Sequence, residues 1–147
     1  MEFTYHPTTF LDAEVSLFEN TKSITPSKTI TFRDWIFKEN DGLRDKINRI
    51  RAEQNSELKH TLPCITGSGV ITGSRADSNL KYHNGCIVLD IDYKENLHLK
   101  EEDFSQLKKK VFRSISEICY AGHSVGGIGY YLIIGIENPY RHKEYFE

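Results

Sequence analysis

Cysteine motifs, long apolar runs and an excess of positive charge are all missing from this chain of 147 residues. Its three cysteines are widely spaced and form no CxxC or histidine-paired pattern, which excludes the usual zinc sites. No apolar run approaches the roughly 18 residues of a membrane span, and the first residues lack the parts of a signal peptide. A net charge of −2 leaves nucleic acid only a local basic patch to bind. These absences predict a cytoplasmic protein without membrane segments.

What is present is a globular composition, with 38% hydrophobic and 27% charged residues, enough for one domain with a core. Apolar residues at helical spacing predict a helix or helix pair over residues 32–56, broken at 39–42, and another helix over 101–117. Strand-like segments alternate with these helices. The fold class is therefore α/β (α+β), a mixed or antiparallel sheet with flanking helices.

The sequence also predicts the domain organisation. No linker or low-complexity segment divides the chain, so residues 1–147 are expected to form a single domain. A helix is only beginning near Pro139 when the sequence stops. We therefore expect the chain to be the N-terminal part of a longer protein.

Two carboxylates stand inside the apolar strand "CIVLDIDY", residues 86–93. Residues two apart in a strand point to the same face, about 6.5 to 7 Å apart, so Asp90 and Asp92 project together. Hard cations such as Mg²⁺ prefer carboxylate ligands and keep waters that phosphates can replace. The spacing thus predicts a divalent metal site. The alternative is a strand end whose acids meet solvent or pair with Lys and Arg.

A second motif, "GHSVGGIGYYLII" (residues 122–134), is rich in glycine just before a strand. Ser124, Gly127 and Gly129 would let backbone amides approach an anion closely, which makes the segment a candidate phosphate-binding turn. P-loops and dinucleotide fingerprints open a helix, so the motif is neither of these. The alternative is a glycine-rich hairpin without a ligand.

Basic residues supply the remaining candidates. Arg75 lies in "TGSRADSNLKYHNG" together with Lys81 and His83, a loop that could meet a phosphate backbone or a triphosphate, or could simply be solvated. His123 stands beside the glycine-rich turn. It is a candidate general acid or base, with an ordinary surface histidine as the alternative.

In their order along the chain, these segments resemble the VirE N-terminal domain family, which is similar to the archaeo-eukaryotic primase (primase–polymerase) superfamily. The matching stretches are "LKHTLPCITGSGVITGSR" (58–75), "NGCIVLDIDY" (84–93) and "SVGGIGYYLII" (124–134), closing with His142 in "YRHKEYF". The resemblance covers about residues 14–146 and implies a primase–polymerase-like fold.

The resemblance also implies roles for individual residues. Asp90 and Asp92 would bind the catalytic Mg²⁺ or Mn²⁺ ions. Tyr131 stands where the superfamily has histidine, and no third acid can be assigned to a later strand. The expected nucleotide-binding residues are Ser124, Gly127, Gly129, Tyr131 and Arg75.

The function expected from these features is that of a primase–polymerase-like domain in a replication or mobile-element protein. It would bind a nucleotide triphosphate and carry out metal-dependent nucleotidyl transfer on DNA, with a helicase domain downstream or in trans as a partner. A catalytically inactive module that binds nucleic acid or a partner through a degenerate primase fold is the alternative. A third reading is a nuclease-like or other metal-dependent phosphotransfer site that uses the same acids.

Overall fold

The computed structural model describes residues 3–5 and 7–146 and shows a mixed α+β protein with three small sheets. The strands are Thr4–Tyr5 (β1), Glu14–Phe18 (β2), Lys28–Thr31 (β3), Cys64–Thr66 (β4), Gly69–Ile71 (β5), Leu80–His83 (β6), Cys86–Ile91 (β7), Ile118–His123 (β8) and Tyr130–Gly135 (β9). The α-helices are Phe32–Phe37 (α1), Asp41–Glu53 (α2), Ser56–Lys59 (α3) and Glu101–Ser114 (α4), and Pro139–Phe146 forms 3₁₀ turns. The predicted mixture of strands and helices is confirmed.

Helices α1 and α2 separate where the sequence predicts a break. The Thr31 side chain accepts the N–H of Asp34 at 3.2 Å at the start of α1. The Asn40 side chain accepts the N–H of Leu43 at 3.0 Å at the start of α2. Such side chains satisfy amides that the first turn of a helix leaves without partners. The cap at Asn40 therefore begins a new helix within residues 39–42.

Helix α4 is shorter than the predicted 101–117. It ends at Ser114 because Ile115 is extended, with φ −122 and ψ 109, and leads the chain toward β8. Phe104 anchors the helix, since its side chain is 1% exposed and its ring stacks on that of Tyr130 with centroids 5.3 Å apart. Neither α4 nor any other helix within the described residues is long and apolar enough to cross a lipid bilayer.

Each of the three sheets has three strands. Strand β2 pairs antiparallel with β3 and β4, and β9 pairs antiparallel with β7 and β8. Strand β6 pairs parallel with β1 and antiparallel with β5. The buried Ser16 links two of these sheets, because its hydroxyl accepts the N–H of Ile71 at 2.9 Å. The sheets are thus joined through side chains rather than through one continuous ladder.

Both faces of the β7–β9–β8 sheet are covered, and Ile87, Leu132 and Tyr130 are buried on the face toward α4. The core cluster on the other face consists of the buried side chains Ala13, Val15, Phe32, Cys86 and Ile133. Side chains alternate along β7, so Cys86, Val88 and Asp90 share the core side of the strand. Along that side the chain passes from the buried Cys86 to Val88, which is 36% exposed, and then to the exposed Asp90. On this face the core cluster ends before β7 does, which leaves the Asp90 end of the strand open to solvent.

Candidate metal and nucleotide site

The two aspartates lie at the open end of β7. Strand β7 ends at Ile91, and both Asp90 and Asp92 are exposed. Neither forms an ion pair with any residue that the structure describes. Burial therefore does not penalise the charge of either carboxylate, and neither is neutralised by a neighbouring cation. Both are accessible to an ion from solution.

Asp92 also has a structural role. One of its carboxylate oxygens accepts the N–H of Lys94 at 3.2 Å, which caps the 3₁₀ turn at residues 93–95. Its main-chain oxygen accepts an N–H of the Asn96 side chain at 2.8 Å. A single capping bond leaves the second carboxylate oxygen of Asp92 for a cation. Capping accounts for Asp92 but not for Asp90, whose carboxylate makes no such bond within the described part of the chain.

The turn between β8 and β9, which contains Ser124, Gly127 and Gly129, lies beside this strand end. The amide of Ser124 donates to the Gly129 oxygen at 2.8 Å, and the amide of Gly127 donates to the Ser124 oxygen at 2.9 Å. A Cβ atom at Gly129 would lie 3.0 Å from the main-chain oxygen of Ile91. Glycine at 129 therefore permits the close approach of the turn to β7.

Four amides of this turn have no acceptor among the residues described. They are the main-chain N–H groups of Val125, Gly126, Ile128 and Gly129. Gly127 has φ +87, a conformation that glycine adopts without the steric cost of a side chain. Successive free amides in a tight turn form concavities that bind anions. The turn can thus donate hydrogen bonds to a phosphate next to the carboxylates.

Arg51, at the end of α2, is a part of this site that the sequence analysis missed. Its guanidinium donates from Nε to the Val125 oxygen at 3.1 Å and from Nη2 to the Ser124 oxygen at 3.2 Å. These bonds fix a positive charge against the turn. Arg51 lies 73 positions from Ser124 in the sequence, and no local pattern relates the two. Only the fold brings the charge to the turn.

His123 lies at the same end of the sheet. Burial lowers its pKa, and the charges of Lys108 and Arg51 lower it further. Its ring lies 5.0 Å from that of Tyr130, and the Lys108 ammonium lies 6.0 Å from the Tyr130 ring centre. A histidine with a lowered pKa is neutral at pH 7, so His123 can accept a proton.

Tyr131 is partly buried and packs against the core. Burial raises its pKa, and the neighbouring Tyr120 raises it further. A Cβ atom at Gly122 would lie 2.7 Å from the ring of Tyr131, so the ring fills the space that glycine leaves. The structure therefore gives Tyr131 a packing role, and its part in nucleotide binding stays a prediction.

Arg75 lies elsewhere. It lines a cavity of about 800 Å³, as does His83 from the same predicted basic loop. Its guanidinium lies 5.0 Å from the ring centre of Phe18 and donates to the Cys64 sulfur at 3.6 Å. The fold thus brings together Asp90, Asp92 and the glycine-rich turn, while it puts Arg75 in a separate place.

The donors at the strand end fit a hard divalent ion that shares its ligands with a phosphate. Across the described residues, no group of three or more His, Cys, Asp or Glu side chains could enclose a metal. Two carboxylates are nevertheless a common protein contribution to Mg²⁺ sites, where waters and phosphate oxygens complete the coordination. Asp90 and Asp92 are therefore suited to a metal–phosphate complex and not to a closed structural site.

A comparison with known families gives a match over residues 57–146, to the family described as "BT4734-like, N-terminal domain". The chain belongs to this family. The match runs from just before β4 to the C-terminal 3₁₀ turns, so it includes Asp90, Asp92 and the glycine-rich turn, but not Arg51. Neither the curated proteins nor the solved structures give a match to the chain.

Membership of the BT4734-like family corrects one expectation. The predicted resemblance to the VirE N-terminal family and the primase superfamily is wrong, because the matched family is neither of these. The motifs behind that prediction, an acid pair and a later glycine-rich segment, are short. Each also occurs where a strand simply ends or a hairpin turns, so their order did not determine the family.

Proposed function

We propose that the open end of the β7–β9–β8 sheet binds a nucleotide triphosphate through Mg²⁺ or Mn²⁺ and carries out nucleotidyl transfer on DNA. The proposal depends on one observation: two exposed, unpaired carboxylates lie beside a turn with four free amides and a fixed arginine. The negative carboxylates can bind the cation, and the turn amides and the arginine can bind the phosphates. Opposite charges placed side by side are what a metal–triphosphate complex requires.

Each group would have a separate task. Asp90 and Asp92 would hold the ion, which when bound supplies charge neutralisation to the phosphates. The turn amides would orient the triphosphate, and Arg51, already held by the turn, would add positive charge. His123 is a candidate to accept the proton that the attacking hydroxyl loses, because its lowered pKa keeps the ring in the neutral form that has a free nitrogen lone pair. In the transfer itself, the hydroxyl oxygen bonds to the α-phosphorus and pyrophosphate leaves.

A module that binds without chemistry is the second candidate. It is favoured by the lack of a third acid near the pair within the described residues and by Tyr131, which is partly buried and uncharged. Such a module would bind nucleic acid or a partner protein at the same sheet end. A nuclease-like or other phosphotransfer reaction would use the same acids. The primase–polymerase-like fold, the DNA and helicase partners and the cytoplasmic location all stay predictions.

Calorimetric titration with Mn²⁺, with and without a nucleotide triphosphate, tests the metal site. We expect Asp90→Asn to weaken Mn²⁺ binding at least tenfold and to abolish the metal-dependent part of nucleotide binding. Asp45→Asn is the control, since Asp45 is an exposed acid on α2 without an ion pair in the described part of the chain. Equal Mn²⁺ affinity in the wild type and Asp90→Asn would refute the metal site.

Primer extension on a DNA template separates the two candidates. Nucleotidyl transfer predicts metal-dependent extension that is lost when Asp90 and Asp92 are both changed to Asn. Metal-dependent nucleotide binding without any extension would instead favour the binding module. DNA binding that weakens with salt and persists without metal would favour it further.

A further inference from the structure

The cavity that contains Arg75 is separate from the sheet end. It lies between the turn that joins β4 to β5, the loop after β5 and the C-terminal 3₁₀ turns, and its volume is about 800 Å³. Apolar lining is supplied by Ile65, Leu80 and Tyr140. The charged side chains that line it are Arg75, Asp77, Arg141, Lys143 and Glu144. A cavity of this size, apolar with a few charged groups, is typical of a small-molecule site.

The charges of the lining do not balance. Arg141 and Glu144 pair with each other, since the arginine Nε donates to the glutamate at 2.8 Å. Two cations, Arg75 and Lys143, then face one acid, Asp77. No carboxylate of the described chain pairs with either cation. The cavity therefore has excess positive charge for an anionic ligand.

A pair of histidines fixes one wall of this cavity. The amide of Gly85 donates to Nδ1 of the fully buried His83 at 2.9 Å, so the ring proton of His83 is on Nε2. That nitrogen lies 2.9 Å from Nδ1 of His142 and donates to it. The bond ties the C-terminal 3₁₀ turns to β6. It also fixes the backbone next to Lys143, the residue that follows His142.

The histidine pair adds no charge of its own at neutral pH. Burial lowers the pKa of His83 to about 4, and the neighbouring His142 contributes to the decrease. Burial also lowers the pKa of His142, where Asp77 and Lys143 act in opposite directions. The positive charge offered to a ligand therefore comes from Arg75 and Lys143.

We propose that this cavity binds an organic phosphate without a metal ion, with the phosphate between Arg75 and Lys143 and the organic part against the apolar lining. A guanidinium donates two parallel hydrogen bonds to phosphate oxygens, and an ammonium adds a compact charge. The hydroxyl of Ser68, which also lines the cavity, is a further donor. A phosphate has an acceptor oxygen for each of these groups, whereas a carboxylate has only two oxygens.

Calorimetry with phenyl phosphate in EDTA tests the ligand class on the full chain. EDTA removes divalent ions, so the metal site proposed at Asp90 and Asp92 cannot contribute. We expect phenyl phosphate to bind with a submillimolar dissociation constant and benzoate, which has the same ring, to bind at least tenfold more weakly. Absence of phenyl phosphate binding, or equal binding of benzoate, would overturn the proposal.

Substitutions then test the location. Arg75→Gln should weaken phenyl phosphate binding about tenfold or more, the effect of losing a charge-assisted hydrogen bond. Lys143→Gln should weaken it about threefold to tenfold. Lys143 forms no hydrogen bond or ion pair with the described residues, so Lys143→Gln is expected to fold normally. It therefore tests the location even if loss of the Arg75–Phe18 contact destabilises Arg75→Gln.

Two controls complete the test. Arg113→Gln changes an exposed arginine of α4 outside the cavity, and Asp90→Asn changes the other proposed site. Both should bind phenyl phosphate with the affinity of the wild type. Wild-type affinity in folded Arg75→Gln and Lys143→Gln would place the ligand elsewhere and refute the proposal. Weaker phenyl phosphate binding in Asp90→Asn, without weaker binding in the two cavity variants, would refute the proposal as well.

Discussion

The open end of the β7–β9–β8 sheet and the cavity around His83 are built in opposite ways. At the sheet end the acids Asp90 and Asp92 are exposed and two positions apart in the sequence. The cavity depends on a fully buried histidine bonded to His142, a residue 59 positions away. Substitution of the exposed acids should therefore leave the stability of the fold nearly unchanged, whereas substitution of the buried histidine should lower it.

The largest expected effect is on stability at His83. His83→Ala removes a buried ring and leaves the Gly85 amide and His142 Nδ1 without their partner, which should lower the free energy of unfolding by about 3 kcal/mol. Asp90→Ala, at an exposed position, should change it by less than about 0.5 kcal/mol. Urea unfolding measures both. Similar losses in the two variants would remove the contrast between the regions.

The next effect is the pH dependence of stability. The pKa of His83 is about 4 in the folded protein, against an ordinary value of 6.5, so the unfolded chain binds more protons between these values. The free energy of unfolding that the neutral His83 ring supports is fully present above pH 6.5 and decreases as the pH falls toward 4. At pH 5 the loss relative to pH 7 is about 2 kcal/mol. Urea unfolding of the wild type and His83→Gln at pH 7, 6 and 5 should give a shallower pH dependence for the variant. Parallel curves would show that His83 does not titrate as stated.

A smaller effect is expected in the turn at the sheet end. Gly127→Ala puts a side chain at φ +87 and within 3.1 Å of the Arg51 side chain, which should cost about 1 kcal/mol of stability. Gly126→Ala is the matched control, because a Cβ atom there would lie 4.0 Å from the Ser124 hydroxyl. Thermal unfolding compares the two. Equal melting temperatures would mean that the turn tolerates a different conformation.

The smallest effect concerns binding alone. Arg51→Gln should weaken metal-dependent nucleotide binding about threefold to tenfold, because a charge near the phosphates is lost. Arg49→Gln, on the same helix, removes a charge that pairs with Glu53 and should leave binding unchanged. Calorimetry with a nucleotide triphosphate and Mn²⁺ measures both. A matching decrease in Arg49→Gln would indicate a general effect of net charge instead of a contact.

Local patterns in the sequence predicted the elements that carry the sheet end. Periodicity located β7, β9 and the helices, and the two-residue spacing of Asp90 and Asp92 predicted that they project together. The glycine-rich turn lies beside them because it directly precedes the strand that pairs with β7. The end of α4 was missed, since the extended Ile115 depends on the approach of β8 and not on helical periodicity.

Contacts between distant residues could not be predicted in the same way. Arg51 reaches the turn only because α2 packs near it, and His83 meets His142 only because the C-terminal 3₁₀ turns lie against β6. Arg75 was grouped with the acids on its chemistry, whereas in the fold it contacts Phe18 and Cys64 and lines the separate cavity. The division into three sheets also depends on such packing, for example the Ser16–Ile71 bond.

The most direct test of the proposed metal site is NMR of the amide signals during a titration with Mn²⁺, whose unpaired electrons broaden nearby resonances. We expect early broadening at Asp90, Asp92 and residues 124–129, with the signals of Arg75 and Lys143 less affected, and loss of that pattern in Asp90→Asn. Broadening centred on the cavity, or an unchanged pattern in Asp90→Asn, would contradict the proposed metal site.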